Sequence, residues 1–118
     1  MTECILNMLS SLYLAIAIGA EVVATNALRL SAGFRYWPAV AATATGYLCA
    51  FYFLGLSLRH IPIGAAYAIW SGAGTVLTVI IGYAFFRDSV PLVSLCGIAL
   101  VVVGVVLIQV GRPAITAA

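Results

Sequence analysis

Glu21 carries the most unusual chemistry in this chain. It stands within the mostly apolar run Leu14–Leu28, and the nearest cation in sequence is Arg29. A charged side chain at the bilayer centre costs about 3 kcal/mol on insertion scales, so intramembrane carboxylates mark ion and substrate pathways. A carboxyl group in apolar surroundings holds a proton more readily than one in water. Such a group can take a proton or a cation, but not both cheaply. The competing reading is a hydrogen bond between packed helices, or a helix shifted so that Glu21 reaches the interface. Leu14, Ala17, Ile18, Thr25 and Leu28 share its helix face. Their small members leave room for a ligand, and Thr25 can bond either the carboxylate or its own backbone.

A second group lies in Gly64–Gly74. Tyr67, Trp70, Ser71 and Gly74 fall at i, i+3, i+4 and i+7, on one helix face. Aromatic ring faces attract quaternary and lipophilic cations, Trp most strongly. An aromatic belt at the membrane surface is the other reading. Trp70, however, follows Pro62 by eight residues, about 12 Å along a helix axis, nearer mid-membrane than belt. Tyr47, midway along its own apolar run, is a third aromatic candidate. Gly72 and Gly74 allow either a bend or close helix packing. Gly97 and Gly104 are seven apart and so share a face. That face suits a second helix, from another copy or from the same chain.

The elements that carry these residues follow from composition. Hydrophobic residues make up 65% of the 118 and charged ones 7%, against about 25% charged in a soluble domain. A spanning helix needs about 20 mostly apolar residues. Four such segments are present, at about 9–30, 38–58, 62–86 and 91–110, with 111–118 expected to be a disordered tail. Charges and prolines separate them. Runs such as Val101–Val103 do not alternate, which argues against a β-barrel. Backbone groups in lipid must bond within their own segment, so the fold class is an all-α integral membrane protein of four transmembrane helices. No Lys or Arg precedes the first run, so it reads as a retained helix and not a cleaved leader. The loops are short, which leaves no room for a soluble catalytic domain. Four helices enclose little volume, so a polar pathway needs a second copy.

The remaining chemistry is sparse. Cys4, Cys49 and Cys96 are far apart and odd in number, with no CxxC, and a single His offers no zinc site. No metal, cofactor or nucleophile–base pair is expected, and hence no enzyme. The five arginines are spread along the chain, unlike the clustered basic face of a nucleic-acid binder.

The pattern resembles the small multidrug resistance family, in its quaternary-ammonium subtype. The likeness rests on Ala20-Glu21-Val22-Val23-Ala24-Thr25, Gly33-Phe34 with Trp37-Pro38, Ile61-Pro62, the block Ala66-Tyr67-Ala68-Ile69-Trp70-Ser71-Gly72, and the spaced glycines of segment four. It runs from about Tyr13 to Gln109. The resemblance implies an antiparallel homodimer in the bacterial plasma (inner) membrane that exchanges protons for hydrophobic cations by alternating access. By it, Glu21 is the shared proton and substrate site. Trp70, Tyr67 and Tyr47 line the pocket, Ala17, Ile18 and Thr25 lie beside the carboxylate, and Ser71 hydrogen-bonds near it. Gly72 and Gly74 form a hinge, and Gly97 and Gly104 the dimer seam. Departures are Arg29 for the family's usual Lys, Ala32 where an acid is common, Ser11 in place of a tyrosine, and the third loop Arg87–Pro91.

Two alternatives stand beside this. A guanidinium exporter of the same family typically carries Trp after its glutamate and Thr before the helix-three glycine. Here Val22-Val23-Ala24 follow Glu21, and Ser71 precedes Gly72. A non-transporting membrane subunit that needs a different partner would carry a strong charge bias fixing its orientation. Arg29, Arg35 and Arg87 flank the first and third loops, while Arg59 and Arg112 lie on the side of the amino terminus. That near balance is a weak orientation signal, so both orientations are expected in one membrane. Labelling of a single introduced loop cysteine with an impermeant reagent should find both; one orientation only would count against an antiparallel homodimer.

Overall fold

A computed structural model of the chain describes residues 2–111. It comprises four helices, α1 (Thr2–Leu30), α2 (Trp37–Ser57), α3 (Ile63–Phe85) and α4 (Leu92–Gly111). All four are long and apolar enough to cross a membrane, and the protein is a multi-pass membrane protein. Three of the expected segments agree to within a residue at each end. The first does not, because α1 begins at Thr2 and not near residue 9. Thr2–Met8 holds no Gly or Pro to stop a helix, and Glu3 in the first turn complements the helix dipole. Hydropathy marks where lipid ends, and a helix need not end there. Gly111, assigned to the tail, is the last residue of α4; the expected disorder from 112 onward lies outside the described residues.

The connections are tight. Between α1 and α2, Ala32, Gly33 and Phe34 all have positive φ. The fully buried Ser31 holds this reversal together. Its hydroxyl donates to the Leu28 carbonyl at 2.6 Å and accepts from the Phe34 N–H at 3.2 Å. Pro38 occupies the first turn of α2, where a missing N–H costs nothing. Pro62 sits at the N-cap of α3 and not inside the helix.

Helix α1 is the hub, packed against both α2 and α3. On the α2 side the contact is made by small residues. A methyl group on Gly46 would come within 2.7 Å of Ala24 Cβ and 3.2 Å of the Ala20 carbonyl oxygen. The buried Ala39, Thr43 and Ala50 recur on α2 at the same helical spacing as Gly46. Without a hydrophobic driving force in lipid, such close backbone approach is what associates helices. Toward α3 the packing is larger-grained: Leu14, Ile18 and Val22 meet Ile61, Ala65 and Ala66, with Leu54, Ile69 and Trp70 partly buried around them.

Polar contacts tie both ends of the α1–α3 pair. At one end Ser10 Oγ lies 3.1 Å from His60 Nδ1. At the other, Arg29 donates two hydrogen bonds of 2.7 Å to the two oxygens of Asp88. The Arg29 guanidinium also lies 4.1 Å above the Phe86 ring. Those hydrogen bonds hold the Asp88 carboxyl below the usual carboxylate range, against the opposing effect of desolvation. A depressed value means that the pair supports the fold above the ordinary carboxylate range and is lost as pH falls through the lowered value.

Helix α4 stands apart. It packs chiefly on α3, and none of its residues is buried. Its contact point is Gly72, where a methyl group would meet Val105 Cγ2 at 2.7 Å. Gly97 and Gly104 face open space.

The α1–α2 seam yields a paired prediction. Gly46→Ala should destabilise the fold by about 1–3 kcal/mol through overpacking. Gly55→Ala, on the same helix with nothing within 4 Å, should be neutral or slightly stabilising. Thermal unfolding of the two variants in detergent checks this, and equal midpoints would remove Gly46 from the seam.

Candidate functional site

Helix α1 presents Glu21, half-buried, to α3. Glu21 is nine residues from the end of α1, about 13 Å along the axis, or close to half of a hydrocarbon core of about 30 Å. One carboxylate oxygen is held from within α1 and the other rests on α3. Thr25, one turn on, donates from Oγ1 to Glu21 Oε1 at 2.7 Å. Thr25 Oγ1 also lies 2.8 Å from the Tyr47 hydroxyl of α2. A threonine hydroxyl has one hydrogen. Since Glu21 receives it, Tyr47 is the donor to Thr25, and the three groups form a relay across the α1–α2 seam. Glu21 Oε2 sits where a Gly74 side chain would be: a methyl there would approach it to 2.8 Å. Only glycine admits the carboxylate this close to α3.

On its open side Glu21 faces a cleft of about 400 Å³. Tyr67, Trp70 and Ser71 form one part of the wall, and Thr75, Thr78 and Val79 continue it along α3. The aromatic rings are locked edge to face. Tyr67 and Trp70 have centroids 5.6 Å apart at 76°, and Phe51 of α2 approaches Trp70 at 5.4 Å and 70°. The Trp70 indole N–H is buried and has no acceptor among the described residues. Nor does any cation among them pair with Glu21, since their one ion pair is Arg29–Asp88. The cleft therefore joins an unpaired carboxylate to aromatic ring surface, an arrangement that can attract an organic cation by charge and by ring face together. A hard metal ion would need several oxygen ligands, and no cluster of three His, Cys, Asp or Glu occurs among the described residues.

The residues singled out in the sequence divide into three groups. Glu21, Tyr67, Trp70, Ser71 and Gly74 line one cleft. Thr25 and Tyr47 stand behind the carboxylate as its hydrogen-bond relay. Ala17 and Ile18 are buried, Ile18 in the α1–α3 core, and they do not line the cleft. Ser71 also differs from expectation: its hydroxyl donates to the Tyr67 carbonyl of its own helix at 2.7 Å and not toward Glu21. Helix α3 runs unbroken through Gly72 and Gly74, where each glycine serves a close approach, to α4 and to Glu21 respectively. Sequence reasoning passed over Thr75 and Thr78. Their signal was present, as polar residues four and seven positions after Ser71 in an otherwise apolar run.

Known proteins resemble this chain over most of its length. The family model described as Small Multidrug Resistance protein matches residues 9–101. The chain is 45% identical over 98 residues to multidrug resistance protein EbrA of Bacillus subtilis, covering 83% of this chain and 93% of the relative. It is 46% identical over 99 residues to EbrB of the same organism, covering 83% and 84%. To quaternary ammonium compound-resistance protein QacG of a Staphylococcus species it is 42% identical over 100 residues, covering 84% and 92%. The matched span takes in the whole Glu21 cleft, and the chain belongs to the Small Multidrug Resistance family.

Proposed function

We propose that this protein exports hydrophobic and quaternary-ammonium cations across the bacterial plasma membrane in exchange for protons. The observation that carries the reading is Glu21, a carboxylate with no cationic partner among the described residues, open to an aromatic-walled cleft. The relatives named for multidrug and quaternary-ammonium resistance support the substrate class.

The chemistry is a competition for one carboxylate. With a proton bound, Glu21 is neutral and gives a cation no reason to enter. Once the proton leaves, the negative charge needs a partner, and a desolvated organic cation supplies it while its apolar surface rests on Tyr67 and Trp70. A second proton expels it. Since either occupant excludes the other, exchange follows without a separate coupling device. Thr25 and Tyr47 support both states, because the Thr25 hydroxyl stays bonded to Oε1 while the cleft side of the carboxylate changes occupant. Nothing in this scheme breaks a covalent bond other than to hydrogen, so the protein is a transporter and not an enzyme.

The working unit in this reading is an antiparallel homodimer. The cleft is open on one side, α4 buries none of its residues, and Gly97 and Gly104 offer a face that another helix can approach closely. Two opposed copies would bring two Glu21 residues to one chamber and provide the inverted symmetry that alternating access commonly uses. Residues such as Ala17 and Ile18 would reach the chamber only through a shift of α1 or from the second copy. Gly72 and Gly74 would let α3 bend or slide where it carries no side chain, which keeps them as the hinge. The guanidinium alternative is disfavoured by Val22 after Glu21 and Ser71 before Gly72.

Glu21→Gln preserves shape and can still accept from Thr25, so it removes titration and leaves packing intact. It should abolish proton release on addition of tetraphenylphosphonium to purified protein, and drug resistance in cells with it. Retained proton-coupled uptake in this variant would overturn the mechanism.

Trp70 should act through its ring face. Trp70→Phe should bind tetraphenylphosphonium better than Trp70→Leu, loss of the ring face in the leucine variant costing about 1–2 kcal/mol in a desolvated site, or up to roughly thirtyfold in affinity. Titration calorimetry measures the difference, and wild-type affinity in Trp70→Leu would take Trp70 out of the binding site.

A further inference from the structure

The serine and threonine hydroxyls of α3 are confined to one face. Ser71, Thr75 and Thr78 recur at i, i+4 and i+7, and Gly74 and Gly82 lie within the same arc of the helix. Each of these glycines receives a carboxylate. Gly74 seats Glu21 Oε2, and a side chain at Gly82 would run into Asp88. The two glycines are eight residues apart, about 12 Å along the axis. A second cleft, of about 370 Å³, lies at the Asp88 end, walled by Asp88, Ser89 and Ser94. Val79 belongs to the walls of both clefts. The two clefts share the Val79 wall, one reaching it past Thr75 and Thr78 and the other from the loop between α3 and α4.

Two of the hydroxyls along this groove, those of Ser71 and Thr75, are polarised in one sense. Ser71 donates its hydrogen to the Tyr67 carbonyl and Thr75 donates to the Ser71 carbonyl, each at 2.7 Å. A hydroxyl has one hydrogen to give, so what remains on these two oxygens is acceptor lone pairs. A groove carrying such acceptors, with the Glu21 carboxylate at one end, favours donors: water and hydronium, not anions. At the mouth Arg29 holds Asp88 by both oxygens, which fixes the loop there and ties the end of α1 to it.

We propose that Thr75 and Thr78 line a water-filled route by which protons pass between Glu21 and the membrane surface at the Arg29–Asp88 pair. The route rests on the reading of Glu21 as the proton site. Glu21 Oε2 gives its proton to a water in the groove, each water passes one proton on, and bulk water beside Asp88 receives it; the return path reprotonates Glu21. Valine in place of either threonine would keep the groove's shape and remove an anchoring point for that water chain.

The test uses the full chain in lipid vesicles, with Cys4, Cys49 and Cys96 replaced by serine. Single variants Thr75→Cys, Thr78→Cys and Leu77→Cys are exposed to a trimethylammonium-ethyl methanethiosulfonate and to its sulfonate counterpart. Leu77 belongs to the groove between α3 and α4 and serves as the reference. Thr78→Cys should react with the cationic reagent faster than Leu77→Cys by roughly tenfold or more, the scale of electrostatic focusing in a charged cleft. It should prefer the cationic over the anionic reagent. Thr78→Val should slow proton exchange at Glu21 by roughly fivefold, the kinetic equivalent of one hydrogen bond, with a smaller effect on tetraphenylphosphonium affinity. Thr78→Cys reacting no faster than Leu77→Cys overturns the route. Glu21→Gln separates the two readings. Lost coupling in Glu21→Gln with an unreactive Thr78→Cys refutes the route alone. Intact coupling in Glu21→Gln refutes the proton role of Glu21, even if Thr78→Cys labels fast, and leaves a hydrated groove with no proton site at its end.

Discussion

A carboxylate surrounded by lipid and apolar side chains must be satisfied by something, and here Glu21 is satisfied by a hydroxyl relay and by a gap in the neighbouring helix. Thr25 and Tyr47 supply the relay, and Gly74 supplies the gap. No arginine among the described residues neutralises the group. That choice leaves the charge of the site uncommitted. A permanent ion pair would stabilise the fold and close the site to any cation from outside. A hydroxyl bonds carboxylate and carboxylic acid alike, so the site can change its charge without losing its geometry.

The rest of the structure follows from holding α1 where this is possible. In lipid, backbone approach does the work that hydrophobic burial does in water. The seam between α1 and α2 is accordingly made of Ala20, Ala24 and Gly46 in near-backbone contact. It sets the rotation of α1 that points Glu21 at α3 and brings Tyr47 to Thr25. The α1–α3 contact is looser and built of Leu, Ile and Val. Polar ties at its two ends, Ser10–His60 and Arg29–Asp88, fix its length.

Helix α4 is the least packed of the four. It contributes no buried residue and rests on α3 through Gly72. A helix in water could not remain so exposed. In lipid it can, because acyl chains cover Val and Leu as well as another helix would.

Much of this was legible in the sequence, because it depends on local quantities. Composition and run length are sums over neighbouring residues, and they determine four membrane helices in the absence of any tertiary contact. The rarity of Glu21 and the shared face of Tyr67, Trp70, Ser71 and Gly74 are also local, since helical periodicity fixes them once the helix is granted. What the tertiary structure alone decided are the pairings between helices. That Tyr47 reaches Thr25 depends on how α2 packs against α1. The burial of Ala17 and Ile18, the seating of Glu21 on Gly74, and the pairing of Arg29 with Asp88 across the fold all depend on the rotation and register of α1 against α2 and α3. Small-residue contacts spread over separate segments set that rotation, and a change of a few ångströms there would leave every sequence pattern intact while changing each partner. The early start of α1 has a similar cause: hydropathy reports where lipid ends, whereas a helix ends where its backbone hydrogen bonds find no continuation.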